Sequence, residues 1–450
     1  MMTVKTQVCI IGAGSGGTGC AFRLIKNGIK TVVVDKNPDF GGTSVFGGVD
    51  GWEPGVSLDG IHQLLRCELE KMENACHVVE VMPNSNLFDP SIGRDWDTHS
   101  FEERPWGFSM PTGKKYEDTL ARCTSLRGED GPMIRFQFEP LCMIEAINNV
   151  LKPYKEHLTT FFNTRYASCK TKNSKIVSVT VSDDNGDTEI LADYFVDASG
   201  DIILARDAGC DYTFGCESHE EYHEPCAHSK SDDVNAVTYV FRVSKTTDPN
   251  HIDKIPENVK DTDITDWANT SMKNTVSCFV LYPNGDININ MLPTMQGKEY
   301  FDFGKRADKI GHARVYAYWN YLQKEKNLNG YTIKHIYDAG VREGYRLKGK
   351  YVLTEQDLRS GSPNFSESAQ TIAIADHAMD VHGTDGMCNE LENPYKIPLE
   401  CSMPKEFSNL FVACRGASFS HIASSSVRLN RTMLSIGEGV GKHLAKLLSL

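Results

Sequence analysis

Long apolar runs are missing from this sequence: no stretch reaches the roughly 18 residues that a bilayer-spanning helix needs. A signal peptide is missing too. "MMTVKTQVCIIGAG" passes straight into a folded-domain pattern, without a basic flank, long apolar segment and small-residue cleavage site, so the expected compartment is the cytoplasm. Positive charge is in short supply, with 47 Lys and Arg against 60 Asp and Glu, a net of −13. Such a surface repels phosphate backbones, so neither nucleic acid nor an anionic membrane is an expected partner, although a local basic pocket is compatible with the total. Cysteine is not scarce, at 14, but Cys-x-x-Cys never occurs. That excludes a thioredoxin-type pair and a zinc-ribbon knuckle. Scattered through a long chain with no secretion signal, most of these thiols are expected to be reduced and packed as small hydrophobes. Repeats and low-complexity tracts are absent as well.

What the chain does contain is clearest at its start. "TQVCIIGAGSGGTGCAFRLIKNGIKTVVVDK" reads as an apolar strand (Val8 to Ile11), a Gly-rich turn, a helix with small residues on its early face, and a second strand (Thr31 to Val34) ending in Asp35. This is one right-handed βαβ unit, with Gly12, Gly14 and Gly17 in the pattern G-x-G-x-x-G and an acidic residue about 20 positions further on. Gly12 permits the tight turn, Gly14 lets backbone approach a pyrophosphate, and Gly17 lets helix pack on strand. The helix N-terminus, with Ser15 and Gly16, directs unpaired N–H groups at phosphate. Asp35, with Lys36 beside it, is placed to accept ribose hydroxyls. The expected ligand is a dinucleotide.

Further along, "GGTSVFGGVDGWEPG" joins backbone freedom to buried-type side chains. Helical patterns follow in "LDGIHQLLRCELEKMENACH" and "PLCMIEAINNVLKPYKEH", and Asn185-Gly186 marks a hairpin between β-rich runs. The intervening stretch holds several prolines and little periodicity. The expected fold is α/β: a Rossmann-like domain of parallel sheet and helices, with an inserted α+β substrate domain that contains an antiparallel sheet. Residues 1–213 form its first part, with a lid-like insertion at about 81–134; residues 214–340 form the inserted cap, and residues 341–450 complete the first domain.

Five blocks in order resemble the FAD-dependent oxidoreductases of the two-dinucleotide-binding-domain type, distantly related to fumarate reductase. They are "IIGAGSGGTGCAFRL", "GGTSVFGGVDGWEPG", "DASGDIILARDAG", "GYRLKGKYVLTEQDL" and "IPLECSMPKEFSNLFVACRGASFSHIASSSVRLNRTMLSIGEGVG". The resemblance implies FAD lying along the carboxyl ends of the parallel strands. Pyrophosphate would lie over Gly12 to Gly17 and ribose on Asp35, with Gly42, Thr43 and Ser44 meeting the phosphates and ribityl chain. Gly47 and Gly48 would lie beside the ring, and Ser199, Gly200 and Asp201 beneath the cofactor. Arg415 and Gly416 would approach the ribityl, and a helix starting near Asn430 would aim its positive end at the flavin pyrimidine edge. Cys414 stands where relatives carry glycine, which weakens the ribityl assignment. Thr43-Ser44 stand where fumarate reductase tethers flavin through histidine, so the FAD is expected to be non-covalent.

A flavin enzyme needs a group to move the proton that accompanies hydride. His421 is the candidate, with Arg428 to hold a carboxylate or keto oxygen. Asp50 and Glu53 are candidates for one wall of the substrate site, and Tyr345 and Arg346 for a pocket or interdomain role. His219-Glu220-Glu221-Tyr222-His223 satisfies H-E-x-x-H, but its polar flanks and Pro225 favour a solvated loop over a metal site. Cys414 lacks the second cysteine of a flavin disulfide reductase and is expected to pack. The expected activity is hydride transfer between FAD and a sugar, hydroxy acid or unsaturated acid. The alternatives are a flavin lyase or isomerase, and an electron-transfer subunit. Only one G-x-G-x-x-G stands in context, so a partner protein, quinone, oxygen or second substrate is expected to reoxidise the flavin in preference to a nicotinamide. A homodimer and a monomer are both compatible with the sequence.

Overall fold

A computed structural model describes residues 2–449 apart from 54, 57–59, 81, 84–133, 260–261, 273–274, 362–369 and 384–385. The lid-like insertion expected at 81–134 lies almost wholly outside the described residues.

The central sheet begins with β1 (Met2–Ile11), which pairs in parallel with β2 (Thr31–Val34) and with the strand Gly186–Asp197. Strand Leu158–Phe161 extends the parallel set beyond β2, and Leu410–Val412 joins Gly186–Asp197. Val8, Cys9, Ile10 and Ile11 are all buried, as a strand covered on both faces requires. β1 starts six residues earlier than its apolar run suggests, because its register with Thr188 to Ala192 continues where its residues are exposed or half-buried. The hairpin expected at Asn185-Gly186 is present: Lys175–Asp183 runs antiparallel to Gly186–Asp197, with Gly186 at φ +117°.

A second, five-stranded antiparallel sheet takes Phe241–Lys245, Val276–Leu281, Ile287–Leu292 and Tyr331–Ile336 from one part of the chain, with Met82–Pro83 on its edge. The helix Ala307–Glu325 buries Tyr318, Trp319 and Leu322 in the same apolar cluster as this sheet. The larger apolar cluster draws on residues 8–210 and 347–445, and the other on 237–328 plus Val79. On these two clusters rests the division at about 213 and 340 that we propose.

The helix α1 (Ser15–Lys26) packs on the C-terminal helix Asn430–Leu448 through missing side chains. A Cβ on Gly437 would stand 1.9 Å from the Gly16 carbonyl oxygen, and one on Gly19 would stand 2.2 Å from that of Leu434. Backbone therefore meets backbone. Gly437→Ala is expected to lower stability by about 1–3 kcal/mol through forced separation of the two helices. Thermal unfolding measures it, and an unchanged Tm would contradict this packing.

Candidate functional site

β1 ends at Ile11, and Gly12 turns the chain at φ +109°, with its N–H on the Val34 carbonyl at 2.7 Å. A Cβ there would lie 2.3 Å from the Ala198 carbonyl, so only glycine fits between the three strand ends. Gly14 is the N-cap of α1, with no side-chain cap and no acidic residue in the first turn, and nothing but the Gly42 Cα lies within 4 Å of where its Cβ would be. The Gly42 segment closes on it from the other side. Ser15 Oγ lies 3.4 Å from Ser44 Oγ and 3.5 Å from Asn430 Oδ1, while Asn430 Nδ2 donates to the Val49 carbonyl at 3.1 Å. Two helix N-termini, α1 and Asn430–Leu448, thus converge, the second also without a side-chain cap or first-turn acid. Their partial positive charges add where an anion would lie.

Asp35 closes the far end. Its carboxylate accepts from Ala13 N–H at 2.6 Å and Asn37 N–H at 2.8 Å, keeping further lone pairs for a hydroxyl, while burial pushes its pKa up. Lys36 is exposed. Ser199 accepts from Ile203 N–H and donates to Asp197, Gly200 lies under the Arg415 guanidinium, and Arg415 pairs with Asp201 at 3.0 Å. Ile202 next to them holds a left-handed φ of +46°, a strained conformation for a β-branched residue. Gly416 lets the chain pass within van der Waals reach of Ile202, Gly200 and Tyr345.

The glycine-rich segment turns out to serve close packing at several points. The space a Cβ would take at Gly48 is filled by Tyr337 and Val240 of the second sheet region, and at Gly47 by Thr43. Any contact of Gly47 or Gly48 with a flavin ring therefore belongs to their backbone atoms. Asp50, expected to wall the substrate site, is fully enclosed. It accepts from Gln137 at 2.5 Å, from Asn288 at 3.0 Å and from the Tyr282 hydroxyl, which in turn lies 3.2 Å from the Tyr337 hydroxyl. Burial pushes its carboxyl up to about 6. The expectation of direct substrate contact at Asp50 is thus corrected: its oxygens are committed to the network that ties the loop to the second sheet. Glu53 lies 3.4 Å from His377.

Arg428 Nη2 pairs with Asp380 at 2.9 Å, and His382 shares the same Asp380 oxygen at 2.7 Å. Arg342 joins them. It donates to Thr238 Oγ1 at 2.6 Å and to the Ala236 carbonyl at 2.9 Å, and among the described residues it has no carboxylate partner. Burial, and then the nearby Arg428 cation, lower its pKa to about 9. Burial and the Arg342 charge likewise lower His382 to about 4, so this imidazole is neutral at pH 7. Arg135 lies against Gly51 with its Nε buried and unpartnered. Sequence reasoning missed Arg342, Asp380 and His382. Arg342 stands two residues before the block "GYRLKGKYVLTEQDL", and nothing local distinguishes it from a surface arginine.

His421 and Arg428 face different surroundings, although seven residues apart. They sit at opposite ends of the short helix His421–Val427, about 10 Å of helix length. His421 Nδ1 meets Glu343 at 2.9 Å, and its backbone N–H donates to Glu217 at 2.8 Å. Arg346, fully buried, bridges Glu217 at 2.6 Å and Glu343. Burial alone would lower the His421 pKa, but the Glu343 carboxylate outweighs it and raises it to about 10, while His421 and Arg346 overcome burial to hold Glu343 at about 2. His421 is therefore a cation at neutral pH, unable to serve as a general base there. Arg346 is a network residue and not a pocket wall. Tyr345 lies in an aromatic cluster with Phe214 and Phe301, its ring 3.4 Å beneath the Arg206 guanidinium.

The H-E-x-x-H stretch forms only a four-residue helix, His219–Tyr222, and His223 leaves it at φ +55°. The two rings lie 6.0 Å apart between centroids, but the left-handed turn at His223 ends the helix there. Among the described residues no group of three or more His, Cys, Asp or Glu is arranged to hold a metal ion. Cys414 is buried, and its thiol is pushed up to about 12 by desolvation.

Residues 7–448 match the pattern of the family described as FAD dependent oxidoreductase. The chain belongs to that family: it is an FAD-dependent oxidoreductase, and FAD is its cofactor. The residues present fit the cofactor, because two uncapped helix ends meet at Ser15 and Asn430, Asp35 holds free lone pairs, and Thr432 Oγ1 is buried without a partner in the first turn of the second helix. Among curated proteins, 41 residues are 56% identical to the glutamate synthase (NADPH) small chain of Halomonas elongata, covering 9% of each chain. A stretch of 82 residues is 37% identical to the putative oxidoreductase AegA of Escherichia coli K12, covering 15% of this chain and 12% of that one. These relatives are thus matched over a small part of their own length. A geranylgeranyl bacteriochlorophyll reductase-like protein from Thermoplasma acidophilum superposes with a TM-score of 0.48 at 10% identity, covering 99% of this chain and 79% of that one. The L-amino acid deaminase of Proteus myxofaciens superposes at 0.43 and 12% identity, covering 99% and 90%. No described helix is long and apolar enough to cross a membrane.

The His421–Glu343 pair has a defined pH window. His421 is raised from 6.5 to about 10, so its stabilisation is complete below pH 6.5 and is lost as pH climbs toward 10. Glu343 is lowered from 4.5 to about 2, so its stabilisation is complete above pH 4.5 and is lost as pH falls toward 2. The difference in Tm between wild type and His421→Asn is expected to be widest between pH 4.5 and 6.5 and to narrow toward pH 10. A difference that stays constant through the alkaline range would contradict the pairing.

Proposed function

We propose that the enzyme passes a hydride between non-covalently bound FAD and a small polar metabolite that carries a carboxylate, in the cytoplasm. FAD, when bound, supplies the centre that accepts or returns the hydride. The observation that carries this reading is Arg342, a half-buried guanidinium with backbone and hydroxyl partners but, among the described residues, no carboxylate. Arg428 beside it commits one edge to Asp380 and keeps a buried Nε unpartnered. Two guanidinium groups facing one aspartate make a local surplus of positive charge in a protein of net charge −13. A planar carboxylate matches such a fork by paired N–H···O bonds, which favours a hydroxy acid or an unsaturated acid over a neutral sugar.

The proton that accompanies the hydride is assigned to the network behind the loop. Asp50, raised by burial to about 6, titrates near working pH and is joined through Tyr282 to Tyr337, so it can hold or release a proton without opening to solvent. Asn288 and Gln137 fix its orientation. His421 takes no base role, being cationic at neutral pH. Arg428 orients substrate with Arg342. Non-covalent attachment is supported by the Gly42–Ser44 segment, which holds no histidine, cysteine or tyrosine.

Anaerobic mixing of the holoenzyme with hydroxy acids and neutral sugars, and of the reduced holoenzyme with unsaturated acids, tests this reading through flavin absorbance. An acid is expected to bleach the oxidised flavin or restore the colour of the reduced one. Arg342→Gln should raise the half-saturating concentration at least about tenfold with FAD still bound, since a charged hydrogen bond is lost. Response to neutral sugars alone would sink the proposal, and turnover without net bleaching would favour a lyase or isomerase. Asp50→Asn should slow the step and remove a kinetic inflection near pH 6. An inflection that survives the substitution would take Asp50 out of the proton path.

A further inference from the structure

The strand Ile287–Leu292 opens with a strict alternation, Ile287-Asn288-Ile289-Asn290. Ile287 and Ile289 are buried in the apolar cluster that includes Trp319 and Leu322 of the helix Ala307–Glu325, so the two asparagines point to the other face of the sheet. Asparagine is a poor strand residue, and an amide taken out of water is destabilising unless it is hydrogen-bonded. Asn288 meets that need by donating to the Gly48 carbonyl at 3.1 Å and to Asp50 at 3.0 Å. Asn290 is half-buried, and its Oδ1 is buried without a hydrogen-bond partner.

The face that carries the asparagines is turned toward the glycine-rich segment. Val240 Cβ lies 2.9 Å from where a Cβ on Gly48 would stand, and Asn288 bonds the carbonyl of the same glycine, so Val240 and Asn288 are on one side. Thr238, two residues before Val240 in extended chain, shares that side, and its Oγ1 accepts from Arg342 at 2.6 Å. The strand Phe241–Lys245, which Val240 precedes, runs antiparallel to Ile287–Leu292 with Phe241 opposite Ile289, and that register sets Val240 beside Asn290. Asn290 thus stands between two groups already described. Asn288 and the Asp50 network are about 7 Å away along its own strand, and Thr238 with Arg342 is on the neighbouring segment. An acid bound by Arg342 lies over the face from which Asn290 projects.

We propose that Asn290 selects a hydroxy acid as the substrate by accepting a hydrogen bond from its hydroxyl. The inference rests on the carboxylate assigned to Arg342. Of the two kinds of acid that Arg342 alone would accept, only a hydroxy acid carries a donor for Oδ1. An unsaturated acid leaves that oxygen buried and unpartnered, and a site built to bond a hydroxyl discriminates strongly against a ligand that lacks one. In the oxidation, the C–H bond beside the hydroxyl breaks with its electron pair passing to the flavin. The hydroxyl proton leaves toward the Asp50 network and the C–O bond becomes C=O, giving an oxo acid. A neutral amide oxygen is too weak a base to keep the proton, so the part played by Asn290 is recognition.

Binding is measured by titration calorimetry, without oxygen, on the reduced holoenzyme, which neither a hydroxy acid nor its deoxy counterpart can reduce further. The probes are the pairs lactate and propionate, 2-hydroxybutyrate and butyrate, and malate and succinate. In at least one pair the hydroxy acid is expected to bind at least about tenfold more tightly than its counterpart. Asn290→Leu, similar in volume but without an acceptor, should abolish that preference by weakening the hydroxy acid alone, whereas Arg342→Gln should weaken both members. The preferred hydroxy acid should also bleach the oxidised flavin, and its deoxy counterpart should not. No preference in any pair, a preference that survives Asn290→Leu, or bleaching by the deoxy acid in place of the hydroxy acid overturns the proposal and leaves the carboxylate site standing. Unchanged binding of both members in Arg342→Gln sinks instead the carboxylate reading on which it rests. Should Asn290→Leu fail to fold, the preference within the pairs in wild type decides it.

Discussion

The contact between α1 and the C-terminal helix is the constraint on which the rest of the site depends. At Gly19 and Gly437 the two helices leave no room for even one methyl group between their backbones. Closeness at the middle of the helices sets the separation of their ends. It is what lets Ser15 of one helix reach Asn430 of the other, and so aims two uncapped, positively polarised N-termini at one place. Segments more than 400 residues apart in sequence become one positively polarised surface. The loop from Gly41 to Asp50 is then held between that surface and the second sheet, tied to Asn430 at Val49 and to Asn288 at Gly48.

Two buried polar networks fasten remote segments of the chain together, and they differ in electrostatic character. The Asp50 network is a single carboxylate surrounded by neutral donors, Gln137, Asn288 and Tyr282. Its carboxyl is therefore shifted toward neutrality, where a proton can come and go. The Glu343 network is an alternation of two carboxylates with Arg346 and His421. Glu343 and His421 compensate each other there, so these two stay ionised across the neutral range. Burial acts on Asp50 and Glu343 in the same direction; direct ion pairing with His421 and Arg346, which Asp50 lacks, holds Glu343 ionised. A buried carboxylate with neutral partners suits proton transfer, and one with cationic partners suits orientation of another group.

Much of the cofactor side was legible in the sequence. The G-x-G-x-x-G between two apolar strands, with Asp35 beyond, carries its own local geometry, and the hairpin at Asn185-Gly186 likewise depends on neighbouring residues alone. The side proposed to hold substrate was far less legible. His421 and Arg428 lie close in sequence, yet a short helix sends them to separate surroundings. Arg342, Asp380 and His382 are unremarkable in their own segments, and they acquire meaning only because Thr238 and Ala236 on one side, and Arg428 on the other, meet them in space. Asp50 was singled out as a pocket wall, but Tyr282 and Asn288, more than 230 residues later, enclose it.

By itself, then, the amino-acid sequence determined the βαβ nucleotide-binding unit, the family to which the chain belongs and the cofactor that goes with it. These follow from short-range patterns in which glycine conformation, strand burial and helix polarity act within about 30 residues. Tertiary structure alone decided which ionisable groups are paired and which arginine, among the described residues, lacks a carboxylate. The physical reason is that charge state and reactivity depend on desolvation and on neighbours within a few ångströms, and in this chain those neighbours come from remote segments.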